Sequence, residues 1–150
     1  MDWQMFLFST DGRINRGKYW LAAVLYVVVS FVAVLLGLFI VTGAGSDAAA
    51  VVLYVGGGLL FLSIYFSGIT VAIKRLHDRD KTGWWCVVFL VLPGLLQGAS
   101  TGIVSEMTGL VLTLIAGLLG IWGFVELGCL RGTMGPNRFG PDPLAVEGAA

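Results

Sequence analysis

KRLHDRDKTGWW, Lys74 to Trp85, is the polar island of this chain, with four basic residues, two acids and the single histidine. What flanks it decides the fold. On its N-terminal side Val51 to Ile73 runs 23 residues without a charge, and before that Tyr19 to Val41 does the same. At about 1.5 Å per helical residue each run measures roughly 35 Å, enough to cross a hydrocarbon core of ~30 Å. On the C-terminal side Trp84 to Ser105 is uncharged but weaker, with Pro93, Gly94 and Gln97 inside it. A proline there kinks a helix, so a bent span and a re-entrant segment both fit. Thr108 to Leu130 is a fourth apolar run, interrupted only by Glu126.

Composition agrees. Of 150 residues, 57% are hydrophobic and 12% charged, against roughly 25% charged in soluble domains. So few charges cannot cover a soluble surface, whereas a bilayer removes the need. Formal net charge is zero, which excludes a global field for nucleic acid. Cys86 and Cys129 with one histidine do not make a zinc pattern, and nothing calls for a cofactor. A cleaved signal peptide is the rival to the first span, since Ala48–Ala50 follows. The run exceeds the roughly 7–15 residues of such a segment, and a polar stretch precedes it.

The basic residues orient these runs. With four spans, at about 19–41, 51–73, 84–105 and 108–130, the segments 1–18, 74–83 and 131–150 share one side. They contain all nine lysines and arginines. The opposite loops, of which Thr42–Ala50 is one, carry only Asp47 and Glu106. By the positive-inside rule the basic side is cytoplasmic. The expected fold is therefore all-α: a polytopic membrane protein with four transmembrane helices, both termini cytoplasmic, and a small cytoplasmic cap. Trp3, Phe6 and Leu7 fall at helical spacing and suggest a short interfacial helix ahead of the first span. Gly94, Gly98 and Gly102 on span three, and Gly109, Thr113 and Gly117 on span four, repeat the small-xxx-small spacing. They predict docking of these two spans or of a homo-oligomer.

On the polar side, Arg75, Arg79 and Arg138 form a candidate anion site for a lipid headgroup or phosphorylated ligand; ordinary juxtamembrane orientation explains the same residues. Lys74 and Asp78 stand at i, i+4 and are placed to pair. Glu126, about a turn inside the last span, is a candidate intramembrane carboxylate, for structural pairing or for transport. His77-Asp78 lacks the further histidines and acids of a metal-dependent phosphohydrolase, and no nucleophile–base–orienter set is visible.

Three stretches together resemble one family. Phe8-Ser-Thr-Asp-Gly12-Arg13-Ile-Asn-Arg16-Gly-Lys-Tyr19-Trp20 is similar to its opening F-x-x-x-G-R-x-x-R-x-x-[FY]-W. Arg75-Leu-His77-Asp78-Arg79-Asp-Lys81-Thr-Gly-Trp84-Trp85 is similar to its central R-L-H-D-x-x-K-[ST]-G-W-W. Gly135-Pro-Asn137-Arg138-Phe139-Gly140-Pro-Asp142-Pro143 is similar to its closing G-x-N-x-[FY]-G-x-D-P. The family is the bacterial membrane-protein domain of unknown function 805. The resemblance implies a bacterial inner-membrane location and no particular activity. It also implies that the motif residues act together: Arg13, Arg16, Arg75, His77, Asp78, Arg79, Lys81, Trp84, Trp85, Asn137, Arg138 and Asp142.

The expectation is a non-enzymatic binding or scaffold module whose cap recognises an anionic lipid or a protein partner. The alternative is a small oligomeric transporter or channel using Glu126 and the Pro93 kink.

Overall fold

The computed structural model describes residues 2–44, 47–101 and 105–145. These are all-helical, with no strand among the described residues beyond an isolated bridge between Asn137 and Gly140. The helices are α1 (Trp3–Phe8), α2 (Arg16–Ala44), α3 (Asp47–Asp78), α4 (Val87–Ser100) and α5 (Glu106–Cys129). Three of them, α2, α3 and α5, are long and apolar enough to cross a membrane; α4 is shorter. The chain divides into two compact units: Met1–Ser9 with Trp20–Val71, and Thr10–Tyr19 with Ala72–Ala150.

The first unit contains α1 and the bodies of α2 and α3. Asp2 caps α1, its Oδ1 accepting from the Gln4 and Met5 amides. The two long helices run antiparallel. Tyr26 Oη lies 2.7 Å from Ser67 Oγ, and further along Gly37 faces Leu53. Leu7 near the end of α1 offers a carbonyl with no helical partner of its own. Ser67 and Thr70 hydroxyls of α3 donate to it at 2.8 and 2.6 Å. Elsewhere this unit exposes large apolar side chains such as Val27, Phe39 and Tyr54 along the helix lengths. Water would not tolerate so continuous an apolar surface; lipid does.

The second unit holds the charged segments. Asn15 opens α2, its Oδ1 accepting from the Lys18 amide at 2.9 Å. The C-terminus of α3 closes with a Schellman pattern: Lys81 N–H donates to Leu76 O and Asp80 N–H to His77 O. Asp80 takes the left-handed position at φ 56°, which Asp tolerates better than most non-glycine residues. In α4 the first turn, Val87–Val91, is π-helical, and Leu92 N–H donates to Val87 O. Pro93 follows at once. Lacking an N–H, it cannot serve the carbonyl four residues back, and the widened turn accommodates that gap. α5 begins at Ser105, whose Oγ accepts from the Thr108 amide, and ends in a second π-helical turn, Val125–Cys129. α4 and α5 pack against each other through Phe89 and Trp122, edge to face at 5.1 Å. Leu76, Cys86, Phe89 and Leu127 form the buried core beneath, joined by Ala72.

The structure corrects three expectations. Thr42–Ala44 and Asp47–Ala50 are helical rather than loop; Ala48–Ala50 are strong helix formers, and Thr42 Oγ1 bonds back to Leu38 O. Gly45 and Ser46 lie outside the described residues. Span three, expected over 84–105, is helical over Val87–Ser100, and Gly102 lies outside the described residues. Three of the glycines named for docking of spans three and four have open space around them. A Cβ on Gly94, Gly98 or Gly117 would meet nothing within 4 Å. The close approach is instead at Gly123, where a Cβ would stand 3.0 Å from Phe89 Cβ. An aromatic ring fills that interface, so the small residue is needed only opposite the ring.

Candidate functional site

The polar cap is built on Asp78, at the last turn of α3. Its carboxylate sits between two guanidinium groups. Arg13 donates to Oδ1 from Nε at 3.3 Å and from Nη2 at 3.1 Å, and Arg75 Nη1 donates to Oδ2. All three side chains are buried, Arg75 fully and Asp78 to 2% exposure. Burying charge is costly unless every partner is supplied, and here they are. Arg13 also donates to the carbonyls of Thr133, Gly135 and Gly140 at 2.7, 2.8 and 3.2 Å. One side chain thus ties the opening, central and closing segments together.

Arg75 turns its other donors to the end of α5. Its Nε donates to Leu127 O at 2.8 Å, and its Nη2 to Leu130 O. Arg16 Nη1 reaches Cys129 O at 3.5 Å. The last carbonyls of a helix lack intrahelical donors and carry the negative end of its dipole. Two arginines serve as the C-cap that this π-helical end needs. Glu126, in the same turn and 4% exposed, accepts from Arg79 Nε at 3.0 Å and Lys81 Nζ at 2.9 Å. Lys81 also lies 4.9 Å from the centre of the Trp85 ring, while Trp84 is exposed.

The closing segment is a tight turn. Asn137 and Gly140 exchange backbone bonds, and Asn137 Oδ1 accepts from the Phe139 amide. Asn137 Nδ2 donates to His77 O and Thr133 Oγ1. Phe139 stacks on the His77 ring at 3.9 Å with planes 4° apart. His77 Nδ1 is 3.3 Å from Gly12 O; a carbonyl only accepts, so Nδ1 carries the proton in that bond. Arg138 pairs with Asp80 at 3.1 Å. Asp142 accepts from the Gly135 and Leu144 amides, and these two bonds hold its carboxyl below the ordinary aspartate range.

The motif residues and Glu126 fall in or beside this cap, but the partners differ from those expected. Asp78 takes Arg13 and Arg75 where Lys74 was expected. Glu126 takes Arg79 and Lys81. Arg75, Arg79 and Arg138 do not converge on an empty anion site: Asp78, Glu126 and Asp80 hold them one by one. Carboxylates within a turn or on the facing helix reach them first.

Sequence reasoning missed Gly132 and Thr133. A Cβ on Gly132 would overlap the Asp78 carboxylate. Thr133 bonds back to Asp78 O through both its amide and its hydroxyl. Neither lies in a motif, and their only signal is position just after the last span. Beside them is a pocket of about 280 Å³ lined by Asn15, Arg16, Asp78, Arg131–Met134, Asp142 and Leu144. No group of three or more potential metal ligands occurs among the described residues.

The family profile described as "Protein of unknown function (DUF805)" matches residues 7–141. The chain belongs to the DUF805 family. Among its relatives is the inner membrane protein YhaH of Escherichia coli K12, 28% identical, over 95% of this chain and 97% of the relative. The uncharacterized protein YiiR of the same strain is 29% identical, over 96% and 92% respectively. The inner membrane protein YhaI is 24% identical, over 89% and 84%. No solved structure matches. With three helices able to span a bilayer, this DUF805 chain is an integral inner-membrane protein.

Proposed function

We propose that this protein is a non-enzymatic binding module of the inner membrane, whose motif-built cytoplasmic cap holds an anionic lipid at the inner leaflet. The observation that carries the reading is Arg13: it joins all three motif segments through Asp78, Thr133, Gly135 and Gly140. Motif charges spent on one another give a rigid platform. His77 and Asp78, the residues a catalytic reading needs, are occupied by Phe139, Gly12, Arg13 and Arg75. Sequence charge adds direction, because the cap segments carry every basic residue of the chain, and anionic leaflets attract such segments.

The module has four spans with both termini cytoplasmic. α2 starts at Arg16 and α3 ends at Asp78, both in the cap, so the chain between them leaves the cap and returns. α4 leaves and α5 returns to the same place, at Leu127 and Leu130. α4 measures roughly 21 Å at helical rise, short of ~30 Å, so the third crossing is the least complete of the four. A reporter fused after Ala150 will be cytoplasmic and one inserted at Asp47 periplasmic; a periplasmic C-terminus sinks this topology.

Native mass spectrometry of protein released from its own membrane tests the binding reading. A retained anionic lipid is expected. A protein that emerges bare, or that retains neutral and anionic lipids in the proportions of the membrane, refutes it.

A further inference from the structure

We propose that the pocket beside Gly132 is a phosphate site, in which Arg16 and Arg131 grip the phosphate of an anionic lipid headgroup. The proposal rests on the binding-module reading and names its site, which differs from the arginines that sequence spacing singled out.

Two carboxylates line the pocket, Asp78 and Asp142. Asp78 is neutralised by Arg13 and Arg75. Both oxygens of Asp142 accept backbone amides, from Gly135 and Leu144. Among the described residues neither carboxylate makes an ion pair with the two lining arginines. A guanidinium has five N–H donors. The one bond of the Arg16 side chain among the described residues is the long contact to Cys129 O. The Arg131 guanidinium has no hydrogen-bond or ion-pair partner among the described residues. Every other arginine of the cap is paired to a carboxylate. Spare planar donors from two directions suit phosphate oxygens, which arginine binds in bidentate fashion.

Size and rim select the ligand class. The volume, about 280 Å³, is under the ~300–1,000 Å³ of pockets for drug-sized molecules, and suits a headgroup fragment. Met134 and Leu144, both lining residues, are largely exposed. A basic pocket with an apolar rim matches an amphiphile better than a free ion. A free phosphate shares the phosphate chemistry, and the test separates the two.

The test uses the full chain, delipidated in detergent. It is titrated with phosphatidylglycerol and with phosphatidylcholine, and bound lipid is read by native mass spectrometry. Three proteins are compared: the parent, the Arg16→Gln/Arg131→Gln double variant, and Lys18→Gln. Lys18 is an exposed basic residue outside the pocket lining, so it reports unspecific attraction. The expected result is a loss of about ten-fold or more in phosphatidylglycerol affinity for the double variant, with Lys18→Gln within about two-fold of the parent. Should the double variant unfold, Arg131→Gln alone, which breaks no recorded bond, is expected to lose about three-fold. Equal losses in the pocket variant and Lys18→Gln overturn the proposal, as does an undiminished preference in the pocket variant. In both cases the binding-module reading survives. A parent that binds both lipids equally refutes that reading as well. Inorganic phosphate at millimolar concentration is expected to leave the lipid bound; complete displacement would assign the pocket to a free phosphate instead.

Discussion

The two units of this protein reach stability by opposite means. In the first, α1, α2 and α3 are joined by a few neutral bonds, Tyr26 to Ser67 and the Ser67 and Thr70 hydroxyls to Leu7 O. Most of its side-chain surface is apolar and outward. In the second, Arg13, Arg75, Asp78, Arg79, Lys81 and Glu126 form ion pairs around the ends of α3 and α5. The contrast follows from solvent. A lipid-facing helix satisfies its own backbone and needs little else. A helix end must find partners for its last carbonyls, and buried charges must be fully matched. Stability in the cap is therefore brittle, and in the spans it is diffuse.

The largest break in this contrast is expected at Asp78. Asp78→Ala leaves Arg13 and Arg75 buried without a countercharge, a destabilisation of about 3–5 kcal/mol. Unfolding in mixed detergent–SDS micelles will read it as loss of the cap, with helix content by circular dichroism largely kept. A parent-like midpoint would show that the buried pairs do not hold the cap. Next comes Gly132→Ala, whose methyl group overlaps the same carboxylate. We expect about 1–3 kcal/mol from overpacking, whereas Gly94→Ala, with open space around it, changes the midpoint little. Reversal of that order would place the close packing elsewhere.

In the spans the expected effect is smaller. Tyr26→Phe removes one hydroxyl from a neutral pair and costs about 0.5–1.5 kcal/mol in the same assay. A loss as large as that of Asp78→Ala would mean the first unit is no more tolerant than the cap.

The smallest effect is at Asp142 and appears as pH dependence. Its carboxyl is held below the ordinary aspartate range by the Leu144 and Gly135 amides. A depressed carboxylate contributes stability above its unfolded pKa and loses it as pH falls through the folded value. The parent and Asp142→Asn should therefore differ by a constant amount from neutral pH to about pH 5, and converge only below about pH 4. Convergence at higher pH would show that the carboxylate is not so held.

Much of this was legible beforehand because hydropathy is local. Tyr19–Val41 and Val51–Ile73 read as helices from their own residues, and the three motif segments stood out as polar against them. The motif residues do meet in the cap. Pairings were not legible, because a charge takes whichever partner the fold brings closest. Lys74 lies at the correct helical spacing from Asp78, yet Arg13, 65 residues away, takes the carboxylate. Gly94 and Gly98 advertised close packing that occurs instead at Gly123. Thr133 carries no signal beyond its position just after the last span, since any small hydroxyl in a loop looks the same.

The sequence by itself determined that the chain lies in a membrane, that its family is DUF805, and which segments are polar. Those properties sum over residues and need no geometry. Tertiary structure alone decided that Arg75, Arg79 and Arg138 are bound to carboxylates of the chain while Arg16 and Arg131 keep donors to spare. Ion pairing depends on distance and direction within a few ångströms, and only the folded cap sets those.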